Sequence, residues 1–377
     1  MIRPVIPSGV RDLVARTFGP DVKITEVQQP GAWAVARLRL NGDEVPPTII
    51  AKWLRTDPND WRTDPRQLHT EAVALRFVGE LASDLVPRVL AEDVSSAAGS
   101  VLLEDLRPRQ PLDALIRRDG VTPTADARRA FARTMGRLAA AAVGRDREFL
   151  SRLDDRASVD PVSGRLGIIG VPWDRMRSMI EGFDVAISAA AEREMQALRA
   201  LLAEPGPFLA LSNGDMATNN FMIDLGEPGG GRMIDFEFAH YDHALAHAAN
   251  FFVPGPPWIV INDPLADQLE HDFRSALTGG IPQAAEDEPY EIGIAAGCVA
   301  MAFERCGNLP KMDARPAGDP SRTQRVLTLE SAAKAAEQRG RWSALSDLLR
   351  DLAAALRKRW PDVDVDLDEV APYSPRW

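Results

Sequence analysis

Lysine is scarce in this 377-residue chain, since only five of its 44 basic residues are lysines and the rest are arginines. An ammonium group is a compact point charge, whereas a guanidinium is a planar fork, so the two are not interchangeable. A lysine within an apolar segment of such a chain therefore indicates a site that requires the compact charge. Lys52, in the segment Thr48–Leu54, is the lysine that meets this description.

Cysteine and long apolar runs are also scarce. Cys298 and Cys306 lie eight residues apart in a helical pattern, which suits neither a disulfide framework nor a zinc knuckle. The segment Met1–Phe18 alternates apolar and charged groups and lacks the apolar core of a signal peptide. The longest aliphatic run, Leu138–Val143, is too short to span a bilayer. We therefore expect a cytoplasmic protein with no membrane partner.

The formal net charge of the chain is −11 at pH 7. This acidic balance argues against nucleic acid or an anionic membrane as a partner held by general electrostatics. A chain of this length buries a large core and favours two lobes over one. We expect a monomer or a homodimer.

The N-terminal part of the chain is predicted to form a five-stranded sheet with one helix between residues 20 and 106. Turn signals, including Asn41-Gly42-Asp43, separate the first three strands and predict an antiparallel meander. An apolar stripe with helical spacing follows. The predicted strands are Lys23–Val27, Ala34–Leu40, Thr48–Leu54, Arg88–Asp93 and Ser100–Glu104, and the predicted helix is Glu71–Leu81.

Helical patterns dominate the chain from residue 111 onward, at Ala125–Val143, at Trp173–Leu202 and in most of 264–359. Residues 208–238 are the exception and predict a short strand, a polar loop and a glycine-rich hairpin. The predicted architecture is an α+β fold with a lobe at 1–106, a helical lobe at 107–361 and an acidic tail at 362–377. We expect this tail to be poorly ordered.

The polar loop and hairpin contain a set of residues suited to phosphoryl transfer. A hairpin symmetric about the junction of Glu227 and Pro228 would place Asn220 opposite Asp235, with Asp215 a short loop away. Facing oxygen donors can hold Mg²⁺, and a third carboxylate can accept a proton from a hydroxyl group. The alternative is that these residues serve only the turns, in which Asp and Asn are common.

Asp215-x4-Asn220 and the later Asp235 resemble the catalytic loop and metal-binding aspartate of the aminoglycoside phosphotransferase and choline kinase superfamily, which is related to protein kinases. The resemblance extends over most of residues 20–255. It implies a bilobal protein-kinase-like fold, with Asp215 as the catalytic base and Asn220 and Asp235 as Mg²⁺ ligands. The nucleotide would be ATP, with GTP not excluded.

Lys52 alternates with Ile50 and Leu54, so it lies on an apolar strand face where an unpaired ammonium group is costly. A lysine that extends from an edge strand to solvent is the alternative interpretation. The resemblance implies that Glu71, at the start of the next helix, pairs with Lys52 and that Lys52 binds the α- and β-phosphates. Without the fold, Glu71 could equally be a first-turn acid that complements the helix dipole.

Two further segments resemble parts of a nucleotide site. Val101–Leu106 resembles the family's hinge, which implies that backbone atoms near Glu104 and Leu106 bind the purine edge. Gly31 and Ala32 occupy the place of the nucleotide-covering loop, which here holds one glycine rather than three.

The chain departs from the family pattern at two positions. Asn213 stands where the family usually has His, and His247 stands near the place of a usual Asp. We hypothesise that Asn213 and His247 are a reciprocal exchange that preserves one polar contact.

Two rival functions remain open. His240, Asp242, His243 and His247 could form the site of a zinc-dependent hydrolase, with His243 and His247 on one helix face, although a third ligand must be assumed. A histidine pair satisfied by local hydrogen bonds is the alternative interpretation of that spacing. A nucleotide-binding pseudokinase is the other rival, but none of the expected catalytic carboxylates is missing.

The acceptor is expected to bind in the helical segment 262–320, which contains eleven acidic and four basic residues. Such a field favours a cationic or neutral hydroxylated acceptor, such as an aminoglycoside-like or other amino-containing alcohol or sugar. Solvated helix faces explain most of these charges equally well. The acidic residues are Asp263, Asp267, Glu270, Asp272, Glu286, Asp287, Glu288, Glu291, Glu304, Asp313 and Asp319.

Overall fold

The computed structural model describes residues 6–29, 34–55, 63–94, 99–154, 156, 172–254, 261–307, 309–366 and 368–369. Within these ranges, no helix is both long enough and apolar enough to cross a membrane. Gly31 and Ala32 lie outside the described residues.

The predicted N-terminal sheet is confirmed. Helix α1 (Ser8–Phe18) packs on one face of it through Val10 and Leu13. The strands are antiparallel and follow the order β1-β2-β3-β5-β4, so β3 is central. They are β1 (Ile24–Gln28), β2 (Val35–Leu40), β3 (Thr48–Trp53), β4 (Val89–Asp93) and β5 (Ser100–Glu104).

Alternation along β3 separates the two faces of this sheet. Ile49 and Ala51 pack toward α1, whereas Ile50 packs on the larger core that includes the next helix. Lys52 has the same parity as Ile50 and therefore faces that helix. The position predicted for Lys52 on an apolar strand face is confirmed.

Helix α2 spans Pro65–Leu81 and begins six residues before the predicted start. Asp64 is the N-cap, Pro65 is the first helical residue, and Asp64 and Gln67 form a reciprocal capping box. These signals were present in the sequence, but the prediction relied on the apolar stripe. Glu71 consequently lies in the second turn rather than opening the helix, so a first-turn role with the dipole is wrong.

The rest of the chain is mainly helical, as predicted. The helical pattern predicted over roughly Trp173–Leu202 corresponds to two helices with a break near Asp184. Asp184 has φ +60°, and Ser188 caps the second helix by accepting a hydrogen bond from the Ala191 N–H. The helices are α3 (Leu112–Asp119), α4 (Ala125–Ala142), α5 (Asp146–Leu153), α6 (Trp173–Glu181), α7 (Ala189–Ala203), α8 (Ala266–Thr278), α9 (Asp287–Cys306), α10 (Leu309–Asp313), α11 (Pro320–Gln338) and α12 (Ser343–Arg359).

Short strands interrupt the helical part where the polar loop was predicted. They form two small antiparallel sheets, β6-β8-β9 and β10-β7, and a 3₁₀ helix, Ala244–Phe251, follows the last strand. The strands are β6 (Gln110–Pro111), β7 (Leu209–Ser212), β8 (Phe221–Ile223), β9 (Arg232–Met233) and β10 (His240–His243).

The predicted register of the β8–β9 hairpin is wrong by one residue. Phe221 pairs with Met233, and the Ile234 N–H donates to the Asn220 carbonyl at 2.9 Å. Asn220 is therefore opposite Ile234 rather than Asp235. A 3₁₀ turn at Pro228–Gly230 makes the connection asymmetric, so a symmetric fold about its midpoint does not hold.

The start of the acidic tail is packed rather than loose. Val363 is buried, and the Asp362 carboxylate accepts hydrogen bonds from the Gly318 N–H at 2.7 Å and from Arg322 at 3.2 Å. The expectation of poor order is therefore wrong for this first part of the tail. Residues 367 and 370–377 lie outside the described ranges.

Candidate active site

Lys52 joins the N-terminal sheet to the helical part of the chain. Its Nζ donates to Glu71 Oε1 of α2 and, at 2.6 Å, to Asp235 Oδ1. The Lys52 side chain is 8% exposed and Glu71 is fully buried. The two carboxylates offset the cost of burying the ammonium group. The predicted pairing of Lys52 with Glu71 is present in the structure.

Asp235 has a backbone conformation that is rare outside glycine. Its φ is +64°, in the left-handed region that Asp tolerates better than most residues. Such conformations cost free energy and persist where the surroundings hold them, often at functional sites. The ion pair with Lys52 is one contact that holds Asp235 in place.

Asp215 and Asn220 are brought together by the loop between β7 and β8. The Asn220 amide donates to the Asp215 carboxylate at 2.9 Å and to its backbone carbonyl at 3.0 Å. Asn213 fixes the start of the loop, since its side chain accepts from the Asp215 N–H at 3.1 Å and donates to the Ile234 carbonyl. The carboxylate of Asp215 therefore has a defined direction.

The pKa of Asp215 is raised above its ordinary value. Desolvation by the surrounding protein is the largest cause, and the negative charges of Asp235 and Glu237 add to it. The hydrogen bond from Asn220 and the positive charge of Arg305 act in the opposite direction. Asp215 nevertheless remains accessible to solvent, as a group that receives a proton from a bound substrate must be. A carboxylate with a raised pKa is a better proton acceptor.

Glu237 belongs to this site, although the sequence analysis did not select it. One carboxylate oxygen each from Glu71, Asp235 and Glu237 lies within 4.8 Å of the other two. Among the residues described, no other group of three Asp, Glu, His or Cys side chains is close enough to share a metal ion. An oxygen-only donor set suits a hard cation such as Mg²⁺. The spacing Asp235-Phe236-Glu237, two acids around one buried aromatic residue, was the available signal. Asn220 stays a predicted ligand; its side-chain oxygen accepts from Asn219 at 2.8 Å.

The hinge-like segment after β5 contains the backbone groups that were predicted to bind the purine edge. The Glu104 N–H donates to the Arg88 carbonyl at 2.9 Å, and the Leu106 carbonyl accepts from the Arg109 N–H at 3.0 Å. The Leu106 N–H, by contrast, has no acceptor in the described part of the chain. Asp105, between Glu104 and Leu106, is bound by Arg37 at 2.9 Å, which ties this segment to β2.

The histidine cluster does not have the predicted arrangement. His243 ends strand β10 instead of starting a helix, and its ring stacks on Phe208 with centroids 5.4 Å apart. Burial lowers the pKa of His243 to about 4. His240 and His247 both hydrogen-bond to Asp242, at 3.0 and 2.7 Å. The helix face predicted for His243 and His247 is therefore wrong, and the local hydrogen-bond interpretation fits His240 and His247.

The hypothesis of a reciprocal exchange between Asn213 and His247 is also wrong. Asn213 bonds to backbone groups of Asp215 and Ile234, whereas His247 bonds to Asp242. The two side chains share no hydrogen bond in the described structure.

The acid excess of segment 262–320 is largely neutralised within the fold. Eight of its eleven acids pair with arginines, most of which lie outside the segment, as in Asp272 with Arg129 and Glu270 with Arg339. Of the remaining acids, Glu304 lies next to Arg305, whose charge reaches Asp215. The paired acids are Asp263, Glu270, Asp272, Asp287, Glu288, Glu291, Asp313 and Asp319.

A sequence model of the phosphotransferase enzyme family matches residues 51–276. The matched range contains Lys52, Glu71, Asp215, Asn220 and Asp235. Comparison with curated proteins gave no significant match.

The chain is similar to several solved structures, including the following three. The GDP and kanamycin complex of APH(2″)-IIia is 11% identical, with a TM-score of 0.48 over 88% of this chain and 99% of that one. A Plasmodium vivax ethanolamine kinase is 12% identical, with a TM-score of 0.44 over 80% of each chain. An aminoglycoside-3′-phosphotransferase of type VIII is 16% identical, with a TM-score of 0.38 over 91% of this chain and 98% of that one.

Proposed function

The chain belongs to the phosphotransferase enzyme family, and on this basis we propose that it transfers the γ-phosphate of ATP to a hydroxyl group of a small molecule. The observation that carries the proposal is the buried Lys52, which is bound to both Glu71 and Asp235. A cation held between the sheet and the helical part is what a nucleotide site needs for its phosphates.

We assign the nucleotide to the junction of the two lobes, with residues 1–106 as the nucleotide-binding lobe and 107–361 as the lobe that carries the loop and the acceptor site. Lys52, held by Glu71, would bind the α- and β-phosphates. The unused N–H of Leu106 is suited to donate to a purine ring nitrogen. A hinge N–H serves adenine or guanine, so GTP is an alternative donor to be tested alongside ATP.

Asp215 would orient the acceptor hydroxyl and accept its proton, supported by its raised pKa and by the hydrogen bond from Asn220. Asp235, Glu237 and the predicted ligand Asn220 are the oxygen donors that would hold Mg²⁺. The ion would supply positive charge to the phosphate oxygens during transfer. The protein itself positions the two reactants, which is the main requirement of this reaction.

The charge of the acceptor is not set by the acid count of segment 262–320, because most of those acids are paired. Arg305 of α9 lies near enough to Asp215 for its charge to lower the pKa of that carboxyl, and the adjacent Glu304 carries the opposite charge. An amino-containing alcohol or sugar remains the acceptor class to test first, with Glu304 as the partner for its amine. Hydroxy acids of similar size are the acceptor class of opposite charge, because the Arg305 guanidinium would favour their carboxylate.

The test is nucleotide consumption by purified protein with Mg²⁺, ATP or GTP and panels of hydroxylated compounds. The panels include aminoglycosides, amino alcohols, neutral sugars and hydroxy acids of similar size. Acceptor-dependent ADP or GDP release, with a phosphorylated product in the mass spectrum, supports the proposal. Release that does not depend on any acceptor contradicts it.

Asp215→Asn is the matched control, because the substitution keeps the shape and removes the proton acceptor. We expect turnover to fall by roughly 10²- to 10⁴-fold, the usual contribution of a positioned base, while nucleotide binding persists. Unchanged turnover would refute the role of Asp215. Nucleotide binding without turnover in the wild-type chain would favour a pseudokinase. Stoichiometric, tightly bound zinc would favour the hydrolase.

A further inference from the structure

Behind the catalytic loop, one carboxylate binds two histidines. Asp242 Oδ2 lies 3.0 Å from Nε2 of His240, and Asp242 Oδ1 lies 2.7 Å from Nε2 of His247. We infer that this cluster positions the catalytic loop against the segment that carries Asp235, with Asp242 as its central residue. The inference rests on the proposed function, because it concerns the residues to which that function assigns chemistry.

The contacts of His240 define its protonation state. Its Nδ1 lies 2.8 Å from the Phe238 carbonyl oxygen, and its Nε2 faces the Asp242 carboxylate. Both partners are acceptors, and a neutral imidazole has a single N–H donor. When Asp242 is ionised, both ring nitrogens of His240 face acceptors, and a doubly protonated His240 satisfies both.

The electrostatics of Asp242 agree with this state. Desolvation alone would raise the pKa of Asp242, but the charges of His247 and His240, with their hydrogen bonds, outweigh it and hold the pKa well below its ordinary value. The His240 side chain is 3% exposed and that of Asp242 is 20% exposed, so solvent reaches the pair only from the Asp242 side. A buried ion pair of this kind is costly to form and specifies one geometry strongly.

On one side, the cluster reaches the segment after Asp235. His240 donates to the carbonyl of Phe238, three residues beyond Asp235. The same carbonyl lies against the Cα of Gly214, where no side chain would fit, and Gly214 has φ +82°. Phe238 therefore sets the distance between the Asp235 segment and the residue that precedes Asp215.

On the other side, the cluster reaches the residue that follows Asp215. His247 lies on the 3₁₀ helix, and its carbonyl accepts from the Asn250 amide at 3.0 Å. The same amide donates to the Met216 carbonyl at 2.9 Å. Asp242 is thus linked to both neighbours of Asp215, through Phe238 and through Asn250. It acts through backbone groups, so it is a positioning residue.

The first test is Asp242→Asn, which keeps the shape of the side chain but removes the charge that stabilises protonated His240. His240 then becomes neutral, so its charge-assisted hydrogen bond to position 242 is replaced by a weaker bond between neutral groups. We expect kcat to fall roughly 10- to 100-fold, the range seen when supporting partners of a site are removed. The KM for the nucleotide should stay within about twofold of wild type, because Lys52 and Leu106 are untouched.

A double-substitution cycle tests whether Asp242 acts through His240. His240→Gln breaks the same bridge, so the effects of the two substitutions on kcat should not add. The double variant should be about as slow as the slower single variant. Additive effects would show that the two residues act independently, which contradicts the inference.

Asp272→Asn is the matched control, because Asp272 is also a mostly buried carboxylate with two cationic partners. It binds Arg129 at 2.7 Å and Arg133 at 3.0 Å between α4 and α8, away from the catalytic loop. This variant should lose stability but keep its kcat at a temperature well below its unfolding transition. An equal loss of kcat in both variants would reduce Asp242 to a general structural role and overturn the inference.

The remaining outcomes are also distinct. A wild-type kcat in Asp242→Asn overturns the inference and leaves the proposed function intact. A wild-type chain that phosphorylates no acceptor overturns both. If Asp242→Asn does not fold, Asn250→Ala removes the link to Met216 without altering the buried ion pair. A reduced kcat with an unchanged nucleotide KM then supports the inference, and a wild-type kcat contradicts it.

Discussion

Asp215 and Lys52 differ in how far the sequence could define them. The scarcity of lysine and the alternation of β3 predicted that Lys52 lies on an apolar strand face, and the family resemblance implied its pairing with Glu71; both are present in the structure. The loop spacing selected Asp215 as a carboxylate but could not reveal its electrostatic environment. That environment depends on Arg305, which lies in α9 and reaches Asp215 only in the folded chain.

Removal of the Arg305 charge should shift the pH dependence of activity. The pKa of Asp215 is raised mainly by desolvation and is partly lowered by Arg305. Arg305→Gln removes the lowering influence, so the pKa of Asp215 should rise further. Because a base must be deprotonated to act, the acidic limb of the kcat/KM profile should move to higher pH.

The control for this shift is Arg315→Gln. Arg315 pairs with Asp319 at the start of α11 and does not contribute to the pKa of Asp215. Its profile should overlay that of the wild type. An acidic limb that stays in place, or moves to lower pH, in Arg305→Gln would contradict the role of Asp215 as the base.

At the scale of elements, α4 and α8 cross where Gly136 allows close contact. A Cβ at Gly136 would lie 2.5 Å from the Phe273 carbonyl oxygen and 2.9 Å from the Ala276 Cβ. Gly136→Ala should therefore lower the free energy of unfolding by about 1–3 kcal/mol, because packed backbone must move. Denaturant titration of purified protein measures this change.

Gly79→Ala is the matched control within another helix. A Cβ there would meet only Val86, at 3.9 Å, which is an ordinary contact. Alanine restricts the unfolded chain and favours the helix, so this variant should gain about 0.5–1 kcal/mol. Similar destabilisation in both variants would show that the α4–α8 crossing has no special requirement for glycine.

Strands and helices with a clear hydrophobic periodicity were predictable from the sequence, whereas their boundaries and strand registers were not. The meander was correct because alternation and turn residues act locally. The start of α2 was missed because its signal is a capping box, Asp64 with Gln67, outside the apolar stripe. The β8–β9 register was wrong because a 3₁₀ turn shortens one arm of the connection. The link from Asp242 to both neighbours of Asp215 depends on tertiary contacts that no spacing indicates.

Across the whole molecule, charge is distributed by pairing between distant segments. The acids of segment 262–320 bind arginines from α4, from the turn after α11 and from α12, including Arg129, Arg339 and Arg359. The segment's negative charge in the sequence is therefore not a field at the acceptor site. The net charge of a segment therefore predicts the electrostatic field at a binding site only when the ion pairs of that segment are known.

Lys52 connects the two parts of the molecule at the candidate site, because Glu71 belongs to the N-terminal part and Asp235 to the segment after β9. Lys52→Met would leave the buried Glu71 without this cation and bring two carboxylates together without a charge between them. The free energy of unfolding should fall by roughly 3–5 kcal/mol, the usual cost of removing one partner of a buried ion pair. Lys23→Met, at an exposed position, should leave it nearly unchanged.

The same pair of variants separates a nucleotide-binding lysine from one that only holds the lobes together. Saturation with Mg²⁺-ATP at about 100 times its Kd adds about 2.7 kcal/mol of stability, which corresponds to a rise on the order of 3 °C in the Tm of a chain of this size. The wild type and Lys23→Met should both show this rise, whereas Lys52→Met should show almost none. A full rise in Lys52→Met would mean that Lys52 does not bind the phosphates, and its role would then be limited to the ion pairs with Glu71 and Asp235.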